Sequence, residues 1–428
     1  MSSIVTERSA APPAQLLSLS PARVALLGCG TVGSAFVRLA TQGSPGARQL
    51  RITGALVRDA HRIRPLPALT LTENALALID GAPDVVVELL GGLEPARTLV
   101  LESLSRGIPV VTANKALLAR HGRELREAAR KSGTPLLYEA AVIAGVPFLG
   151  TFSRRPRSAS ANGLCGIVNG TSNFVLTRCA QDACSVAEAL AEAQRRGYAE
   201  SDPLSDVSGS DARDKLAVLL QDFAGLDADT GSIATLGLDV IGRRQPAHAW
   251  ELGGVIKPVV VAEWGGGVLE AFVGPAFIPA GHPLASVDGV ENGLVLHTPR
   301  GRLIFQGPGA GPDVTAATVL DDVEEVLAGA RPVADRPLLP ASATEPLTGW
   351  LVTIEGARLP HGADVADLLA SHGLFAHRVS ATHTEDARES RSLLLWPAEG
   401  AAVQHMLAGL SGAAGCTALA LRSLGEPR

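Results

Sequence analysis

Arg23-Val24-Ala25-Leu26-Leu27-Gly28-Cys29-Gly30-Thr31-Val32-Gly33 carries a short apolar run directly into three glycines. The run reads as a strand buried on both faces, and Val32 to Leu39 continues it as a helix. Each glycine of Gly28-x-Gly30-x-x-Gly33 then has a reason. The first permits a tight turn, the second a close approach of pyrophosphate, and the third close helix–strand packing. The helix start adds unpaired N–H groups and partial positive charge. In a chain with 46 glycines the spacing alone says little. A strand before it and a helix after it make Gly28, Gly30, Thr31, Val32 and Gly33 a dinucleotide-binding turn.

Outward from this turn, strands are expected at 52–57, 84–89, 109–112 and 135–138, with helices between them, such as 122–131. Such alternation predicts an α/β fold, a Rossmann-like doubly wound parallel sheet with cofactor at the strands' C-terminal ends. The second strand ends in Leu56-Val57-Arg58-Asp59. Arg58 suits a 2′-phosphate and Asp59 a ribose hydroxyl, which leans the choice toward NADP over NAD. The pair fits a solvated strand end equally well.

After Gly145 the rhythm changes to a mixed α+β region with strands near 164–168, 256–261, 268–273, 293–297 and 303–306. A proline-rich stretch, 331–347, reads as a connector. Residues 350–424 follow as strand, helix, strand, strand, helix, strand, the βαββαβ pattern. His377, Arg378 and His383 fall on its second strand, where an even step places both histidines on one side. The expected division is a loose tail (1–20), a dinucleotide domain (21–148), a mixed α+β domain (149–306), a connector (329–348) and a C-terminal domain (349–426).

Composition narrows the function. The chain has 428 residues, a net charge of −6 and 46% hydrophobic residues. Several packed domains are affordable, and nucleic acid is not the expected partner. No apolar run reaches the ~20 residues of a membrane helix, so no membrane partner is expected. Cys29, Cys165, Cys179, Cys184 and Cys416 form an odd, scattered set without a Cys-x-x-Cys pair, which points to a reducing, cytoplasmic setting. The histidines show no metal-ligand spacing.

A second constellation lies at Gly197-Tyr198-Ala199-Glu200-Ser201-Asp202-Pro203, with Asp206 and Asp211-Ala212-Arg213-Asp214-Lys215 behind it. Asp211 and Lys215 stand four apart on an expected helix and share a face. An ordinary surface pair fits that spacing too. The density of acids around one lysine suits a carbonyl–alcohol interconversion on an amino-acid substrate: a proton donor beside the oxygen, carboxylates for the ammonium.

Here the chain resembles the homoserine dehydrogenases. The resemblance rests on Gly28–Gly33, Val111-Thr112-Ala113-Asn114-Lys115-Ala116-Leu117-Leu118, Tyr138-Glu139-Ala140-Ala141-Val142, Gly166-Ile167-Val168-Asn169-Gly170-Thr171-Ser172-Asn173, Gly197–Pro203, Gly281-His282-Pro283-Leu284-Ala285 and Gly307-Pro308-Gly309-Ala310-Gly311. It implies reversible NAD(P)-dependent reduction of L-aspartate 4-semialdehyde to L-homoserine, on the way to threonine and methionine. By motif, Lys215 is the proton donor and Lys115 the second active-site lysine, close to nicotinamide and substrate. Glu200 and Asp211 bind homoserine, with Asp206, Thr171 and Tyr198 beside them; Gly197 and Gly309 touch the cofactor. The family also implies a structural sodium ion held by the Glu139 side chain and the carbonyls of Val142, Ala144 and Val146. Oxygen-only ligation suits such a hard cation, and a satisfied buried carboxylate is the other reading of Glu139. A related oxidoreductase acting on another amino-acid semialdehyde is the alternative function.

The resemblance further implies a C-terminal ACT-like regulatory domain with an amino-acid effector such as threonine. Its first loop departs from the family pattern, reading Leu359-Pro360-His361-Gly362-Ala363-Asp364-Val365 without the expected acid. A domain kept only for assembly is therefore an equal expectation. By analogy the resemblance also makes 149–306 the catalytic and dimerisation domain, completes the dinucleotide domain with 307–328, and implies a homodimer, or a homotetramer if the C-terminal units pair.

Overall fold

The computed structural model describes residues 20–42, 49–61, 66, 69–153, 160–309, 311–330, 337–385, 387–414 and 416–424. The expected N-terminal tail lies outside them, apart from Ser20.

The first layer is built from β1 (Ala22–Leu27), α1 (Thr31–Gln42), β2 (Leu50–Leu56), β3 (Leu71–Thr72), α2 (Ala75–Asp80), β4 (Val85–Glu88), α3 (Ala96–Ser105), β5 (Val110–Thr112), α4 (Lys115–Ser132) and β6 (Leu136–Leu137). Its six strands are all parallel, in the order β3-β2-β1-β4-β5-β6. That is the doubly wound order with its switch point between β1 and β4. Val24, Leu26, Val85 and Val87 are buried toward one face, Ala25, Leu27 and Val86 toward the other. Burial on both sides explains the unbroken apolar runs. Helix α4 begins well before the expected 122, because the Asn114 side chain caps it by accepting from Leu117 N at 3.1 Å.

Next come α5 (Leu149–Ser153), β7 (Gly163–Ile167), α6 (Gly170–Asp182), α7 (Val186–Arg195), α8 (Leu204–Val207), α9 (Ser210–Phe223), β8 (Leu226–Ala228), β9 (Ala234–Thr235), α10 (Gln245–Glu251), β10 (Gly254–Gly265), β11 (Val268–Pro279), β12 (Glu291–Thr298) and β13 (Gly301–Pro308). The β10–β11 hairpin runs much further than the sequence reading expected. Pro258 and Pro275 face each other within it, and both discourage a strand assignment. Pro258 is tolerated because β7 meets β10 only from Val260 onward, and Pro275 because it falls between the pairings of β11 with β9, at Phe272 and Val273, and with β19, at Ala276 and Phe277. The chain then returns to the first layer through α11 (Pro312–Leu327). Ala316, Val319, Val323 and Val326 of this helix join the core around β1 and α1, and Asp313 pairs with Arg38 at 2.8 Å.

The stretch read as a free connector is partly tied down. Leu339–Ala341 forms β14, which pairs with β8, and Thr344 bridges Glu270. Beyond it lie β15 (Thr348–Gly356), α12 (Gly362–Ser371), β16 (Ala376–Val379), β17 (His383–Glu385), β18 (Arg388–Ala398), α13 (Gly400–Ala414) and β19 (Thr417–Ser423). The expected second strand is split in two, so the even-step argument for His377 and His383 does not hold. His377 stacks near Trp396, whereas His383 faces His248.

These C-terminal strands do not form a sheet of their own. β19 pairs in parallel with β11 at Ala276–Arg422 and Phe277–Ser423, giving one 11-stranded sheet. Trp350, Val352 and Ile354 pack under α12 and α13; Leu351, Leu394 and Leu421 pack on the other side with Phe174, Leu252, Ile256 and Phe277. Among the described residues, no helix is long and apolar enough to cross a membrane.

Candidate active site

The glycine turn has the expected geometry. Gly28 has φ +105°, and a Cβ there would lie 2.5 Å from Leu89 O. A Cβ at Gly33 would lie 2.3 Å from Gly28 O. Both are therefore required by the protein's own packing. Gly30 is different: a Cβ there meets nothing within 4 Å, and its φ is not positive. Its missing side chain leaves open space at the turn. No described residue accepts a hydrogen bond from the amides of Thr31, Val32 or Gly33. Open space faced by unpaired amides at a helix start suits a pyrophosphate. Arg58 is exposed just past the end of β2, and Asp59 Oδ1 accepts from His61 N at 2.9 Å. Gly309 closes β13, its carbonyl accepting from Asn292 Nδ2 at 3.3 Å before α11 leads back toward α1.

The lysines and acids converge at the ends of β5 and β7. Lys115 is the first residue of α4, placed there by the Asn114 cap. Val168 and Asn169 follow β7, and Asn169 caps α6 by accepting from Ser172 N at 2.8 Å. Asp211 and Lys215 stand one turn apart on α9. Asp211 is buried and takes both lysines: Lys115 Nζ at 2.7 Å on Oδ1 and Lys215 Nζ at 3.0 Å on Oδ2. Lys215 Nζ also donates to Val168 O at 2.6 Å. Asn169 Nδ2 donates to Asp211 Oδ2 at 2.7 Å and to Asp206 Oδ1 at 2.8 Å. Beside the cluster, Thr171 Oγ1 donates to Tyr198 O at 2.6 Å, and Gly197 turns the chain with φ +76°.

The charges interact strongly. Burial alone would raise the Asp211 carboxyl, but Lys215 and Lys115 outweigh it and hold its pKa far below the carboxylate range. Burial lowers Lys215; Asp211 resists, Lys115 adds to the fall, and the pKa ends below the ordinary lysine value. Lys115, two-fifths exposed, ends above it, because Asp211 outweighs its burial. Burial also raises Asp206.

Two expected site residues stand apart from this network. Glu200 is exposed, and its side chain makes no hydrogen bond or ion pair with a described residue; its carbonyl accepts from Gln194 Nε2 at 3.1 Å. The side chain of Tyr198 is exposed and packs edge-on against Phe174.

Asn169 and Glu88 were not singled out from sequence. Glu88 ends β4 fully buried, between the strand of the glycine turn and the strand of Lys115. It accepts from Leu90 N at 2.8 Å and Thr112 Oγ1 at 2.5 Å, with Asn114 Nδ2 at 3.5 Å. Burial raises its pKa. A carboxylate closing a Val-Val-Val run was the available signal.

Just after β6, Glu139 is nearly buried. Its Oε1 accepts from Phe148 N at 2.6 Å and Leu149 N at 2.8 Å, and its Oε2 from Gly150 N at 2.6 Å. Val142, Ala144 and Val146 are buried beside it, and no described residue donates a hydrogen bond to their carbonyls.

Comparison with known proteins agrees with this geometry. Residues 28–139 match the model "Homoserine dehydrogenase, NAD binding domain", and residues 147–323 match "Homoserine dehydrogenase". The homoserine dehydrogenase of Synechocystis is 39% identical over 317 residues, 71% of this chain and 73% of that one. The solved homoserine dehydrogenase of Thiobacillus denitrificans superposes with a TM-score of 0.81 at 31% identity, covering 94% of this chain and 98% of that one. A hyperthermophilic archaeal homoserine dehydrogenase in complex with NADPH shares the fold at 22% identity and a TM-score of 0.62, covering 73% of this chain and 99% of that one. A dinucleotide-type sheet, two lysines gathered on one buried aspartate, and these matches together place the chain in the homoserine dehydrogenase family.

Proposed function

We propose that the chain interconverts L-aspartate 4-semialdehyde and L-homoserine with NAD(P), Lys215 moving the proton. One observation carries this reading. A lysine ammonium has three N–H donors. Two of those on Lys215 go to Asp211 Oδ2 and Val168 O, and no described residue takes the third. A buried ammonium with one spare donor is placed to receive a substrate oxygen.

The bound nicotinamide supplies or accepts hydride at the substrate carbon. In reduction, negative charge gathers on the aldehyde oxygen; Lys215 stabilises it and delivers a proton. In oxidation, neutral Lys215 takes the hydroxyl proton. Asp211 fixes both lysines, and Asn169 fixes Asp211 against Asp206. Lys115 adds positive charge on the nicotinamide side. The ammonium of the amino-acid substrate calls for acids at the rim; Asp206 and Glu200 are those we assign, with Thr171 and Tyr198 shaping the wall. Thr31, Val32 and Gly33 would hold the pyrophosphate across Gly30, with Gly197 and Gly309 nearby. Arg58 favours NADP over NAD. The test is homoserine-dependent reduction of each cofactor in turn. Turnover with both, faster with NADP, is expected; no turnover with either refutes the reading.

A sodium ion near Glu139 is part of the same reading. It is supported by three buried residues, Val142, Ala144 and Val146, whose carbonyls take no hydrogen bond from a described residue and which follow the Glu139 carboxylate closely in the chain. Replacing sodium with a bulky organic cation is expected to lower the melting temperature. An unchanged melt would leave Glu139 as a helix cap alone.

For the C-terminal unit, the packing of Leu351, Leu394 and Leu421 supports an assembly role over effector binding, since that sheet face is filled. Activity unchanged by millimolar L-threonine is expected; inhibition would restore the effector reading. The exposed edge strand β13, with Ile304 at its surface, supports association of two copies through this sheet.

A further inference from the structure

The seam between α10 and the C-terminal strands holds a second cluster of chemistry-bearing side chains, remote in sequence from the site described above. His248 and Glu251 stand three apart on α10 and share a face of the helix. His383 reaches them from β17, 132 positions beyond Glu251. One ligating atom from each of the three lies within 4.8 Å of the other two. His383 Nε2 meets Glu251 Oε1 at 2.5 Å, and the two imidazoles meet edge to face with centroids 4.8 Å apart. Sequence spacing among the histidines could not show this, because the fold alone brings β17 to α10.

The cluster is held from outside. His248 is fully buried, with Nδ1 at 2.9 Å from Ser380 Oγ and Nε2 at 3.0 Å from Ser390 Oγ. Ser380 can place its proton on Ala381 O at 2.9 Å and accepts from Ser392 N at 2.9 Å. Its contact with Nδ1 can therefore be given up without stranding the hydroxyl, while Ser390 keeps the ring oriented. Ala381 N donates to Glu251 Oε2 at 3.1 Å and holds that carboxylate against the same loop. Such outer partners orient first ligands in metal sites.

We propose that His248, Glu251 and His383 bind one divalent transition-metal ion of the zinc type, with water as fourth ligand. Two imidazoles and a carboxylate suit such an ion better than magnesium or calcium. In a tetrahedral site, ligand atoms stand about 3.4 Å apart. The His383–Glu251 contact opens to reach this, and the widest separation closes. His383 and Glu251 are 40% and 33% exposed, which leaves room for the ring and for Oε1 to adjust while Ala381 N holds Oε2, and gives the ion a route in. The bound ion would join a catalytic-domain helix to the C-terminal strands. The proposal does not depend on the reaction proposed above.

The test uses the full chain, without an affinity tag and stripped of metal. Cobalt(II) is titrated in and followed by its visible d–d absorption, then displaced with zinc. One tetrahedral cobalt per chain is expected. His383→Ala and Glu251→Gln should each weaken binding on the order of 100-fold, with the circular dichroism spectrum and homoserine oxidation unchanged. Absence of stoichiometric binding in the unaltered chain, or binding of equal strength in both folded variants, overturns the site.

Discussion

Asp211 is the residue on which the two lysines depend, and its charge sets theirs in measurable directions. It holds the Lys215 pKa up against burial, and Lys115 pushes that pKa down. In the proposed mechanism homoserine oxidation needs neutral Lys215, so its rate should rise with pH through a pKa below the ordinary lysine value. Asp211→Asn removes the raising influence. The rising limb of the kcat profile should move to lower pH, with kcat down on the order of 100-fold. Lys115→Met removes the lowering influence and should move the limb to higher pH. Shifts in the same direction for both variants would contradict the arrangement. Stability follows the same sign. The depressed Asp211 pKa contributes stability that is present above the unfolded carboxylate value and is lost as pH falls below it. The shared helix face of Asp211 and Lys215 was legible from their spacing, but that spacing fits a surface pair equally, and their expected roles, like that of Lys115, came from the resemblance. Asn169 lay in a quoted motif without a role of its own, and Glu88 went unread, because what both do arises from where strands end side by side.

At the scale of elements, the glycine turn separates folding from binding. Gly33→Ala would drive a methyl into Gly28 O, and a cost of about 1–3 kcal/mol is expected. Gly30→Ala meets no protein atom, so its melting temperature should stay while KM for the cofactor rises several-fold. A loss of stability at Gly30 with KM unchanged would show that the open space serves packing after all. Thermal melts and cofactor titrations on the two variants distinguish these outcomes. The strand–turn–helix reading of 23–39 needed no tertiary information, since apolar run, glycines and helix start agree locally. The β10–β11 hairpin was read short at its ends; the expected 268–273 strand stopped just before Pro275, which opposes strand formation locally and is accommodated between the pairings of β11 with β9 and β19. The second C-terminal strand was read as one run, but Ser380 turns inward to Ser392 and His248 and breaks it.

At the scale of the whole molecule, the order of elements was legible and their joining was not. The 331–347 stretch carries no periodicity, yet Leu339–Ala341 completes a small parallel pair with β8. The βαββαβ order of the last unit says nothing about which sheet its edge strand will meet. β19 meets β11, and the continuous sheet places Phe174, on the helix that Asn169 caps, in one core with Leu351 and Leu421. The catalytic cluster is thus assembled from the ends of β5 and β7 and from α9, with the C-terminal strands packed behind α6. In the proposed mechanism its chemistry rests on Lys215. The most direct measurement is homoserine oxidation by the unaltered chain and by Lys215→Ala, across pH and at saturating cofactor. The expected result is a loss of kcat of about 10²–10⁴-fold in the variant, with the rising alkaline limb gone and cofactor affinity retained. A variant that turns over at the original rate, with the same pH profile, would contradict proton transfer by Lys215.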